Sequence, residues 1–141
     1  MTRKEAFSRM LAGLEADRSR CEELRGLLEQ QFDAALRRDG SLLMAAGSAI
    51  RALVQALGTS HEARRQCARV LAAPKRPASM SELCALLRGA ARDALTLEWQ
   101  SFDALMCECR RLNQRNATVL MSQFEIVQHV LHGESDTYVH P

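Results

Sequence analysis

Aromatic side chains are scarce in this sequence: four Phe, one Trp and one Tyr among 141 residues. Strands draw heavily on aromatic and β-branched residues, so this scarcity argues against a sheet. Three prolines and seven glycines give too little punctuation for many short strands. The apolar positions hold mostly Leu, Ala, Val and Met, which suit packed helices. The chain reads as all-α, and its length as one domain with a real core.

Other absences narrow the function. No uninterrupted apolar stretch approaches the length of a membrane span, so no direct membrane insertion is expected. The first apolar residues are broken by Arg9, Glu15 and Asp17, unlike a signal peptide. Five cysteines are an odd number without disulfide-rich spacing, which points to reduced thiols in a cytoplasmic protein. There is no glycine-rich phosphate loop, no G-x-S-x-G and no paired Glu-x-x-His. Cys107 and Cys109 are two apart on a helical stretch, so their thiols point to different faces. His129 and His132 share a face but have no evident third ligand. No catalytic residue, metal site or cofactor is assigned, and the chain is not read as an enzyme.

Charge of one sign is lacking overall but not locally. Net charge is +2, too small for a nucleic-acid footprint. Residues 1–40 balance at eight basic and eight acidic side chains. Residues 41–92 carry eight basic against two acidic, or +6, and residues 93–141 carry three against seven, or −4. This asymmetry favours an antiparallel pairing of the middle segment with the last one.

What is present is heptad periodicity. Phe7, Leu14, Cys21, Leu28 and Ala35 recur every seven residues, with Leu11, Leu24 and Phe32 beside them. Thr2 and Glu5 form a T-x-x-E start, and Asp39-Gly40 a break. A second run takes in Leu43, Ala46, Ile50, Leu53, Leu57, Cys67 and Leu71, with a kink possible at Gly58-Thr59-Ser60. Residues 72–79, with two prolines, form a linker. Ser79 opens a short helix over Leu83, Leu86 and Leu87. The last run is the longest, with a helix expected over 93–132 and a stop at Gly133. The predicted architecture is an elongated antiparallel helical bundle with coiled-coil character, three or four helices over 1–133 and a flexible tail over 134–141.

Polar residues interrupt these seams at Asp17, Arg64, Asn113, Asn116 and Gln123. Two readings stay open for Asn113 and Asn116: they fix register inside the bundle, or they offer amides to a partner in an open groove. The stripe Asn116, Val119, Leu120, Gln123, Phe124, Val127 and Val130 lies near the end of a helix too long for its neighbours to cover. With Asn113 it forms the expected protein-binding surface.

The segment LRGLLEQQFDAALRRDGSLLMAAGSAIRALVQAL resembles the N-terminal part of the FlgN-like flagellar export chaperones. Leu27, Leu28, Glu29, Ala35, Leu36, Asp39, Leu43, Leu53 and Leu57 carry that resemblance. The family's later Leu-Asn-x-x-Asn signature with a following apolar pair is matched by Leu112, Asn113, Asn116, Val119 and Leu120. Ser135 to Tyr138 is similar to its short Tyr-containing tail. The resemblance implies a cytoplasmic chaperone, independent of ATP, that binds helical C-terminal segments of hook–filament junction proteins. It would keep them from premature assembly and deliver them to the export gate, using its C-terminal region for the substrate. Tyr138 is the expected gate-docking residue. The alternative is a structural coiled-coil component of a secretion or export apparatus. A nucleic-acid binder using Arg64, Arg65, Arg69, Lys75 and Arg76 is a third class. Oligomeric state and the preferred junction protein are not legible.

Overall fold

The computed structural model describes the backbone of residues 1–139 and the side chains of residues 1–129. Among the described residues there are four helices and no strand: α1 (Arg3–Arg37), α2 (Gly40–Ala72), α3 (Met80–Leu86) and α4 (Gly89–Val139). Local chemistry sets most of their ends. Thr2 caps α1 by accepting from the Glu5 N–H at 3.1 Å. Arg38 leaves the helix in a left-handed conformation (φ 56°), and Asp39 then caps α2 by accepting from the Leu42 N–H. Ser79 caps α3 in the same way through the Glu82 N–H, and Glu82 returns the favour by accepting from Ala78 N–H at 2.7 Å. Arg92 donates to the carbonyls of Cys84 and Ala85, which closes the end of α3 against α4.

Two sequence expectations change here. Gly58-Thr59-Ser60 lies within one continuous helix, where Thr59 donates back to the Gln55 carbonyl and Ser60 donates to Asp17 of α1 rather than break the chain. The helical backbone of α4 also runs through Gly133 to Val139. A single glycine costs a helix about 1 kcal/mol, too little by itself to end one this long.

The core is a single cluster in which α1 is central. Met10, Leu14, Cys21 and Leu28 from α1 are all but inaccessible, and they meet Leu57, Cys67 and Leu71 of α2 and Leu95, Phe102, Cys109 and Leu112 of α4. α2 returns antiparallel to α1, whereas α4 runs parallel to it, as shown by the constant offset of their contacts. Cys109 Sγ donates to the Cys21 carbonyl, Asn116 Nδ2 to the Leu28 carbonyl and Gln123 Nε2 to the Ala35 carbonyl. Each partner lies 88 residues away, and successive rungs are one heptad apart. A parallel heptad seam of this kind keeps the same faces together along its length.

The expected pairing of the basic middle segment with the acidic last one is limited to the short α3, which packs on α4. α2 and α4 each pack on α1, and their backbones do not come together among the described residues. Burial of the α1 seam outweighs screened attraction between surface charges. α2 is consequently covered on one side only. It holds an 18-residue window with mean hydropathy 1.4, long and apolar enough by composition to cross a bilayer, and only 11% of that window is buried. The window tolerates isolated charges, which is why a search for an uninterrupted apolar run passes over it.

Candidate functional site

Two helices that share a floor but whose backbones stand apart leave a trough. Leu24 and Leu28 of α1 line its base. Ile50, Val54 and Leu57 of α2 form one wall, and Trp99, Met106 and Asn113 of α4 the other. The loop from Ala73 to Ser79 lies at one end. The cavity measures about 1510 Å³. Its walls run from Ile50 to Arg69 on α2 and from Trp99 to Asn113 on α4. At about 1.5 Å per residue these are roughly 28 and 21 Å, the length of a helix of some 14 to 19 residues. The space is that of one more helix in the bundle.

A buried polar group holds the two walls at their spacing. Asp17 of α1 has no exposed surface; its Oδ2 accepts from Ser60 at 2.6 Å and from Arg64 Nε at 3.0 Å, and its Oδ1 accepts from Arg20 at 2.7 Å. Arg64, thus fixed from α2, places its guanidinium 4.9 Å from the centre of the Phe102 ring on α4. The stem of Arg64 lies against Gly13, where a Cβ would stand 3.3 Å from its Cγ. Arg64 was visible in the sequence as a polar break in a seam. Its pairing with Asp17, 47 residues away, and with Phe102 on another helix was not.

The residues expected to bind a partner fall into three groups. Asn116 is 1% exposed and fully used within the bundle: it donates to Leu28 O at 2.7 Å and Gln31 Oε1 at 2.9 Å, and accepts from Arg115. Arg115 in turn stacks 3.7 Å from the centre of the Phe32 ring and pairs with Glu29 at 3.1 Å. Asn116 therefore sets register here, and Gln123 does the same at the Ala35 carbonyl. Asn113 is different: it is exposed and lines the trough. Val119 and Leu120 are half-buried, while Phe124 and Val127, with Met121 and Ile126, are each more than half exposed. They lie around and past the Gln123–Ala35 rung, where α1 is about to end. Val130 and Tyr138 lie outside the residues whose side chains are described.

The other chemistry of the site is quiet. Cys21 and Cys109 face each other across the α1–α4 seam. Burial raises the Cys21 thiol from its ordinary 9.0 to about 11, helped by the neighbouring Cys109, and burial raises Cys109 too. Thiols held protonated in this way are poor nucleophiles and poor ligands. Among the described residues no group of three His, Cys, Asp or Glu side chains is placed to hold a metal ion.

An all-helical chain whose helices leave an open, helix-sized trough is a helical bundle in its class. More particularly, the chain belongs to the FlgN family, whose model, described as FlgN protein, matches residues 1–132. The family is one of flagellar export chaperones, which bind flagellar substrate proteins in general. No curated protein and no solved structure matches the chain.

Proposed function

We propose that this protein is a cytoplasmic flagellar export chaperone. It binds helical C-terminal segments of hook–filament junction proteins, prevents their premature assembly and delivers them to the export gate. The observation that carries this reading is the trough between α2 and α4, which has the length of one helix and an apolar base. An amphipathic helix laid there buries its apolar stripe at ~25 cal/mol per Å², offset by the cost of ordering it. Asn113 stands at the rim, and the exposed stripe of Met121, Phe124 and Val127 continues the apolar surface beyond it. A rod or stalk component would have no use for a side left open in this way.

The site carries its own reporter, because Trp99 is the only tryptophan and lies on the wall. Titration with a helical C-terminal peptide of a junction protein is expected to shift Trp99 emission to the blue with micromolar or tighter affinity. Val54 is 53% exposed, so Val54→Glu should leave the helical content intact. We expect that change to weaken binding at least tenfold, and Leu120→Ala with Val127→Ala to weaken it less. Native affinity in both folded variants would overturn the reading.

For Tyr138 we propose a role in docking the loaded chaperone at the export gate, since an aromatic ring with a hydroxyl suits an interface. Removal of residues 134–141 should then preserve folding and peptide affinity while lowering secretion of the junction proteins. Undiminished secretion would remove Tyr138 from that role.

A further inference from the structure

The trough is not only apolar; its charge is one-sided. Arg64, Arg65, Arg69, Lys75, Arg76 and Arg110 line it, and Asp103 is the only carboxylate among the lining residues. Arg65 is answered by Glu62 at 3.3 Å. Arg69, Lys75, Arg76 and Arg110 are exposed, and none has an acidic partner within 4.0 Å among the described residues. Three of these four, Arg69, Lys75 and Arg76, gather at the loop end of the trough.

Arg64 supplies a second and independent sign. It is 6% exposed, and only its Nε donates to Asp17. Neither Nη nitrogen has a hydrogen-bond partner among the described residues, although the residue forms part of the lining. A guanidinium this buried carries five N–H donors, and leaving several unanswered is costly once a partner excludes water. An apolar helix laid over Arg64 would impose that cost. A helix bringing a carboxylate would remove it, with a charge-assisted and geometrically matched pair.

We propose that the occupant of the trough is an amphipathic helix with acidic side chains along one flank, one carboxylate meeting Arg64 beside Phe102 and others facing Arg69, Lys75 and Arg76. This rests on the docking function proposed above and specifies the chemical class of the docked segment. Charge of this kind contributes on-rate and selectivity more than raw affinity, and it excludes basic amphipathic helices of equal hydrophobicity.

The test uses the full chain and two designed 18-residue helical peptides with the same leucine face. One carries Glu along its flank and its twin carries Lys at the same positions. Arg64 is not the residue to change first, because its loss would strand the buried Asp17. The exposed pair Arg69→Glu with Arg76→Glu is the variant of choice, with circular dichroism confirming its fold. The acidic peptide is expected to bind the unaltered protein at least tenfold tighter than its twin, with affinity falling as salt rises, and the preference is expected to reverse in the variant. Equal affinities, or a preference for the lysine peptide, would overturn the acidic assignment and leave helix docking standing. An acidic preference that persists unchanged in the variant would overturn it as well, since the carboxylates would then be read elsewhere. Failure of both peptides to bind would remove the docking function itself.

Discussion

Cys21 occupies a heptad position of α1 with no accessible surface, and its sulfur lies 3.2 Å from that of Met106. The thiol is packed as a small hydrophobe, and its protonation is linked to folding. In the unfolded chain it ionises near 9.0, whereas in the folded chain it holds its proton to about 11. Between those pH values the unfolded state binds fewer protons, so stability falls as pH rises, by at most about 1.4 kcal/mol per pH unit for one proton. Below pH 9 the contribution is fully present. Urea unfolding at pH 8 and pH 10.5 should show a steeper loss for the unaltered protein than for Cys21→Ala; parallel losses would dissociate the thiol from the effect. Asn116 shows how far single residues were legible. Its position in a seam was plain from spacing, and so was the question it posed. The answer depended on Gln31, Leu28 and Arg115, of which only the last is a sequence neighbour.

Among the elements, the caps were the most readable features. Thr2 and Ser79 each have a short polar side chain immediately before an apolar-periodic run and accept the expected N–H, while Asp39, read only as part of a break, caps α2 as well. Such bonds are local, so local sequence contains them. The seam between α1 and α4 is the opposite case, because the 88-residue offset is a property of tertiary pairing alone. Three rungs at heptad spacing now make a specific demand on α4. One alanine inserted between Arg111 and Leu112 turns everything beyond it by about 100° relative to Cys109, since a helix has 3.6 residues per turn. Asn116 would leave Leu28, and the seam would lose Leu112 with it. We expect a loss of roughly 3 kcal/mol or more in urea unfolding. The same alanine placed between Arg76 and Pro77 lengthens a loop and should cost well under ~1 kcal/mol. Equal costs for the two insertions would show that the connection, and not the rungs, sets the register.

At the scale of the whole molecule, the helical class followed from composition, but the arrangement did not. The charge asymmetry between residues 41–92 and 93–141 suggested that those segments lie together. Instead the backbones of α2 and α4 stand apart across the trough, each helix held to α1 by apolar burial, and the unanswered cations of the middle segment face the gap. The expected binding stripe was placed on one helix because periodicity describes helices singly. A surface made by three helices has no period, so the trough was invisible to that kind of reading. Only Asn113 belongs to both.

The parallel course of α1 and α4 gives the molecule a front and a back. Arg3 donates to the Leu71 carbonyl at 2.7 Å, so the chain's first turn, the end of α2 and the 73–79 loop are together at one pole. The turn at Arg38–Asp39 and the exposed stretch of α4 from Met121 to Val127 stand at the other, about 50 Å away by the length of α1. One pole is rich in cations and the other in uncovered apolar side chains. A reporter fused at Met1 therefore sits beside the basic pole and far from the apolar one, while a label at Phe124 does the reverse. Any elongated ligand lying along this body has to meet the two poles with its two ends, and so it can be told which way round to lie.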